Sequence, residues 1–125
     1  MAASVGVEKP IIDTAAIDIP TLGIACRAIY ELRNEFGLPI GSGAHNAVGT
    51  WKGLKKKMEP QAKNPSMVTA CAVTIAAGAN FILYGPIEFA DYMFPTVGMV
   101  DAAFAQLAME GGTMPDPKHS IFRIA

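Results

Sequence analysis

Three times along this chain a short apolar run is followed by a polar turn and then by a helical pattern. A strand, a crossover helix and another strand in succession require a parallel sheet with right-handed crossovers. Such a sheet needs cover on both faces, and three strands supply little of it. A complete (β/α)8 barrel takes roughly 250 residues, and this chain has 125. The expected fold class is therefore α/β: the last three β/α units of a TIM-type barrel, as one C-terminal domain over residues 1–125. The alternative is a small three-strand α/β domain that stands alone.

The first unit opens with a strand over residues 9–13 and a loop over 14–20. A helix over 21–36 follows, with Leu22, Ala25, Ile29, Leu32 and Phe36 three and four residues apart on one face. Asp18 or Thr21 can cap it, Pro20 suits its first turn, and Gly37 ends it. Residues 1–8 read as the end of a preceding helix, not as a domain start.

The second strand, residues 38–41, runs into a glycine-rich loop over 41–46. A small helix over 50–58 should turn Trp51, Leu54 and Met58 inward and its lysines mostly outward. Asn64-Pro65-Ser66 reads as a turn and cap before an alanine-rich helix over 67–77, apolar on nearly every side and so expected to be covered from both.

The third strand, residues 80–84, is apolar without alternation, as a strand buried on both faces should be. A helical turn over 87–93 precedes a last helix over 97–110, started by Pro95-Thr96, with Val97, Val100, Phe104 and Leu107 as its inward stripe. The tail from 113 is largely irregular, with an extended piece over 119–124.

Composition supports a chain with hidden surface. Hydrophobic residues make up 51% and charged residues 17%, and mean hydropathy is +0.31. That is more apolar and less charged than a typical small domain. The most apolar stretch, residues 67–83, is broken by Thr69, Thr74, Gly78 and Asn80, and falls short of the roughly 20 residues of a membrane span. Net charge is −1, so there is no basic field for nucleic acid. Cys26 and Cys71 sit in helical patterns and read as buried, reduced thiols; no Cys/His spacing suggests a metal.

Ligands of α/β folds gather at the carboxyl ends of the strands. Those ends carry Asp13 with Asp18, then Ser42, His45 and Asn46, then Tyr84 and Glu88. A carboxylate, an amide and a second carboxylate suit a neutral heterocycle rich in hydrogen-bonding groups. A phosphate ester would call for Arg or Lys. Each residue has a plainer reading. Asp13 can cap a turn through its own backbone. His45 can be a general base, a ligand or neither. Gly41-Ser42-Gly43 lacks the third glycine and the Lys-Ser/Thr of a phosphate loop. The cluster from Lys52 to Lys57 is either a solvated face or a dock for an acidic partner.

Several of these segments carry a resemblance. Gly-Leu-Pro-Ile-Gly-Ser-Gly-Ala-His-Asn-Ala-Val-Gly-Thr-Trp, from Gly37 to Trp51, resembles the signature loop of the H subunit family of tetrahydromethanopterin S-methyltransferase from methanogenic archaea. Residues 11–20 and 80–88 are similar to its neighbouring segments. The resemblance covers nearly the whole chain, at the C-terminal end of that family's chains. It implies a pterin-binding barrel related to methyltetrahydrofolate:corrinoid methyltransferases. Those relatives place the Asn of a Gly-Leu-Ser-Asn loop beside N5 of the pterin, and Gly43-Ala44-His45-Asn46 is similar, with its middle residues changed. A strand-end Asp holds the pterin ring there, and Asp13 is similar to it. Glu88 is a further pterin-binding candidate from position alone.

The resemblance implies methyl transfer from N5 of methyl-tetrahydromethanopterin to the Co(I) corrinoid of a partner subunit, with Asn46 catalytic and Asp13, Asn46 and Glu88 binding the pterin. It implies a cytoplasmic, homo-oligomeric protein peripheral to a membrane complex, with no transmembrane segment of its own. The family's earlier strands, which carry further pterin-binding residues, are missing, so the isolated chain is expected to be inactive. Two other functions stay open: a methyl-tetrahydrofolate:corrinoid methyltransferase of methylamine or betaine metabolism, and a non-catalytic assembly module of the membrane complex.

Overall fold

A computed structural model of the chain describes residues 3–58 and 61–124. Three parallel strands, β1 (Ile12–Asp13), β2 (Ile40–Ser42) and β3 (Phe81–Ile82), lie side by side in chain order. Asp13 pairs with Gly41 and Gly41 with Phe81, while Ser42 pairs with Ile82. The mixed α/β class, the parallel sheet and its covering helices thus match the sequence reading, with each strand shorter than its apolar run.

Helix α1 (Ile19–Phe36) follows β1. Its start is a reciprocal capping box. The Thr21 N–H donates to Asp18 Oδ1 at 2.9 Å, and the Asp18 N–H donates to Thr21 Oγ1 at 2.8 Å. The Thr21 hydroxyl and then the Thr21 N–H, both donating, hold the Asp18 carboxyl below its ordinary value of 3.8. Gly37 ends the helix at φ 61, a left-handed conformation that favours glycine.

Between β2 and β3 lie α2 (His45–Gly49), α3 (Lys52–Lys57) and α4 (Lys63–Ala76). The sequence predicts a loop through residue 46 and one helix over 50–58. Instead His45 and Asn46 open a helix, which stops where the Thr50 hydroxyl donates back to the Asn46 carbonyl at 3.0 Å. Leu54 is buried as expected, but Trp51 (39% exposed) and Met58 (54%) are not, because six-residue α3 has room for one inward position. Asn64-Pro65-Ser66 is not a turn but the first turn of α4. Proline costs little there, since those amides have no partner within the helix. Val73 on α4 is 43% exposed, so α4 is not covered all round.

After β3, a 3-10 turn (Ile87–Phe89) leads into one unbroken helix, α5 (Ala90–Glu110), with Pro95 inside it. Pro95-Thr96 therefore does not start the helix. The Thr96 hydroxyl donates to the Tyr92 carbonyl at 2.6 Å in that turn. The buried residues of α5 are Met93, Thr96, Ala102 and Ala105. The expected stripe is rotated outward: Val97 is 37% exposed, Phe104 50% and Leu107 61%. The 119–124 piece is not extended but forms a 3-10 turn (Ser120–Phe122), and the chain start shows only a 3-10 turn (Ala3–Val5). Met1 and Ala2, at the head of the expected preceding helix, lie outside the described residues, as does Ala125 in the tail.

The core lies under the carboxyl ends of the strands. Ala44, Val48, Leu54, Met67, Ala70, Cys71, Phe89 and Met93 form one buried cluster, against which Leu22, Ile82 and Tyr84 pack. Side chains alternate along a strand, so Ile82 and Tyr84 face the helices while Phe81 and Leu83 face away. By register, Asp13 and Gly41 share the face of Phe81. That second face is open: Leu83 is 51% exposed and Ile11 62%. The total accessible surface is 8304 Å², whereas a compact 13.2 kDa monomer exposes about 6,400 Å². Among the described residues no helix is long and apolar enough to cross a membrane.

Candidate functional site

The loops that leave the three strands are laced together. The Thr14 N–H donates to the Gly41 carbonyl at 3.0 Å and the Leu83 N–H to the Ser42 carbonyl at 3.1 Å. The Ala16 N–H donates to the hydroxyl of fully buried Ser42 at 3.0 Å. The Thr50 hydroxyl lies 3.1 Å from the Ile17 carbonyl, within reach to donate to it. The sequence places Ser42 at a strand end, and the structure gives it this bracing role.

Asp13 sits at the end of β1 with an exposed side chain. Its Oδ1 accepts from the Ala15 N–H at 2.8 Å, which is the turn-capping bond open to it from sequence. Ala15 adopts φ 55, a left-handed conformation that costs a non-glycine residue roughly 1–2 kcal/mol. The Asp13 carboxylate and the Ser42 hydroxyl, taking successive N–H groups, hold that loop in place. One Asp13 oxygen, Oδ2, is left over for another donor.

Asn46 is exposed in the first turn of α2, while Ala47 and Val48 of the same helix are buried. Burial of those two anchors α2 and turns Asn46 outward. The Asn46 Nδ2 lies 3.0 Å from where a Cβ on Gly43 would stand. Gly43 is the first residue past β2. Asp13 at the end of β1 and Asn46 just past β2 thus both lie at the carboxyl end of the sheet, on neighbouring strands, each exposed. Glu88 lies exposed on the 3-10 turn after β3, beside Ile87, which is 73% exposed.

His45 is half-buried and tied in. Its Nδ1 lies 2.7 Å from the Leu83 carbonyl oxygen. Its ring fills the space that a Cβ on Gly85 would take, with Cδ2 3.0 Å away. The sequence leaves the role of His45 open; the glycine before Pro86 is the available signal for a close packing partner.

A groove of about 730 Å³ lies at the other end of the sheet, lined by Arg33, Asn34, Gly78, Asn80, Asp101 and His119 among others. It sits at the amino ends of the strands, against the ends of α1 and α4. It shares no lining residue with Asp13 or Asn46. Its Arg33 guanidinium donates to the Gly78 carbonyl at 3.1 Å, and His119 meets Asp101 at 3.1 Å. These contacts hold the helix ends and the tail together. The carboxyl ends remain the candidate site, because ligands of parallel sheets collect there. No group of three or more His, Cys, Asp or Glu among the described residues could hold a metal ion.

The family described as tetrahydromethanopterin S-methyltransferase MtrH subunit matches residues 1–115, which takes in every strand and loop of this site. The chain belongs to that family. It is 38% identical over 118 residues to the H subunit of tetrahydromethanopterin S-methyltransferase from Methanosarcina mazei, covering 90% of this chain and 37% of the relative. The corresponding subunit of Methanothermobacter thermautotrophicus is 34% identical over 127 residues, 99% of this chain and 41% of the relative. That of Methanocaldococcus jannaschii is 35% identical over 131 residues, 95% and 41%. The chain spans about two-fifths of the length of these MtrH relatives.

Proposed function

We propose that this chain forms the carboxyl-terminal part of a pterin-binding (β/α)8 barrel that passes a methyl group from N5 of methyl-tetrahydromethanopterin to a corrinoid. The observation that carries the proposal is that the Asp13 carboxylate and the Asn46 amide, seated over Gly43, both lie exposed at the carboxyl ends of the neighbouring strands β1 and β2. The open face supports the barrel, because parallel strands are stable only when both faces are covered. The donor set fits a pterin. A flat ring with polar edges can lie along an apolar face carrying Ile11 and Leu83 while Asp13 and Asn46 meet its edge.

The corrinoid, borne by a partner subunit, supplies a strongly nucleophilic cobalt. The task left to this chain is to improve a poor amine leaving group. As the methyl carbon leaves, N5 keeps the bonding electron pair, becomes a better acceptor and takes up a proton from solvent to leave as the neutral amine. An amide N–H of Asn46 donates to that pair, a bond that strengthens toward the transition state. An amide does not ionise, so the donation holds at any working pH. Asp13, with Oδ1 committed to the Ala15 N–H, offers Oδ2 to ring N–H groups and orients the methyl group toward the corrinoid. Glu88, two residues past Gly85-Pro86, is a second acceptor for the far edge of the ring. The partner is the corrinoid-bearing subunit of a membrane complex, met on the cytoplasmic side.

In a full-length protein, Asn46→Ala should slow single-turnover methyl transfer by about a hundredfold, with pterin affinity by calorimetry changed much less. Equal losses in rate and affinity would remove Asn46 from the chemistry. Competition between methyl-tetrahydromethanopterin and methyl-tetrahydrofolate separates the two donors.

A further inference from the structure

Helix α2 carries Asn46, yet little within α2 holds it still. It has five residues, no side-chain cap and two buried side chains, Ala47 and Val48. A helix this short has no stability of its own. It is suspended between its neighbours instead. At one end the Thr50 hydroxyl reaches the Ile17 carbonyl in the loop after β1. At the other, His45 Nδ1 reaches the Leu83 carbonyl at the end of β3 at 2.7 Å.

The His45 contact is built from both sides. A carbonyl oxygen can only accept, so Nδ1 carries the proton and donates. Gly85 adopts φ +88, a backbone conformation that side chains rarely take, and a Cβ there would stand 3.0 to 3.3 Å from His45 Cδ2, Cγ and Cβ. The β3 loop therefore offers the ring both an acceptor and a seat. Gly43 repeats the arrangement for the next residue: a Cβ there would crowd Asn46 Nδ2 at 3.0 Å and His45 Cε1 at 3.7 Å. Two glycines from two strand-end loops thus make room for two successive side chains.

We propose that His45 is a positioning residue, a clasp between the β2 and β3 loops that fixes the direction of the Asn46 amide. Its effect on methyl transfer rests on the function proposed above; the clasp itself rests on the contacts just described. An asparagine side chain can present an N–H near the Nδ1 position, whereas alanine cannot.

The test uses a full-length protein with His45→Ala, His45→Asn and Gly85→Ala. Amide hydrogen exchange across residues 43–50 should quicken about tenfold in His45→Ala and Gly85→Ala, and return to within about twofold of wild type in His45→Asn. Nitrogen NMR of wild type should find the ring protonated at Nδ1. Single-turnover methyl transfer should fall about tenfold in His45→Ala, with the KM for the methyl donor unchanged, and recover in His45→Asn. Unchanged exchange in His45→Ala, or a His45→Asn variant as loose as His45→Ala, overturns the clasp. So does nitrogen NMR that finds Nδ1 unprotonated in wild type. If wild type transfers no methyl group, the proposed function fails, and exchange and tautomer still decide the clasp.

Discussion

At the scale of single residues, burial decides which reactive groups this chain presents. Cys71 lies in the main core cluster with no exposed surface, and burial pushes its thiol up to about 11. At pH 8 only about one Cys71 thiol in a thousand is then ionised, and only the thiolate attacks an alkylating reagent. Cys26 is half-buried, with Sγ 3.9 Å from the Val73 carbonyl oxygen. Iodoacetamide at pH 8 should label one cysteine readily and the second only on unfolding, as mass spectrometry after timed quenching would show. Equal labelling of both in the folded chain would contradict this packing. The sequence places both thiols inside. It cannot separate them, because helical spacing marks a face without saying what covers it.

At the scale of elements, strands and helix caps are legible where the signal is local. The Asp18–Thr21 box and the Gly37 stop depend on a few neighbouring residues, and both can be read from sequence. Prolines mislead for the same reason. Pro65 and Pro95 look like starts or breaks, yet each is taken into a helix: Pro65 sits in a first turn where no bond is lost, and at Pro95 packing along the rest of the helix outweighs one lost bond. Gly41 is the element-scale position most sensitive to change. A Cβ there would stand 2.1 Å from the Phe81 carbonyl oxygen and 2.9 Å from the Phe81 ring. That is the backbone of the paired strand, with no flexible end to move aside. Gly41→Ala should break the β2–β3 pairing and cost about 3 kcal/mol or more in urea titration, or abolish cooperative unfolding. A loss below about 1 kcal/mol would mean that β2 and β3 pair less closely than this.

At the scale of the whole molecule, the surface is too large for the mass. The excess over a compact monomer is about 1,900 Å², roughly twice what one partner buries in a standard protein–protein interface. Much of it is apolar, on the open sheet face and on the outward side of α5, where Phe104 is 50% exposed and Leu107 61%. The isolated 125-residue chain should therefore self-associate or unfold in part, and should bind no pterin by calorimetry. A monodisperse monomer in ultracentrifugation that melts cooperatively would overturn this.

The sequence by itself determined the three β/α units, the caps of α1, the apolar excess and the strand-end residues Asp13, His45 and Asn46. All of these are local or compositional, so spacing and residue type suffice. Only the tertiary structure decided their surroundings. Asp13 and Asn46 come to neighbouring strand ends because β1 pairs directly with β2, and Gly43 leaves room for the Asn46 amide. Glu88 is left exposed because Phe89 is the residue of its turn that packs inward. His45 became a tie to β3 through a carbonyl 38 residues away. The outward side of α5 was likewise hidden from sequence: a helix this apolar offers more than one face to bury, and its neighbours choose.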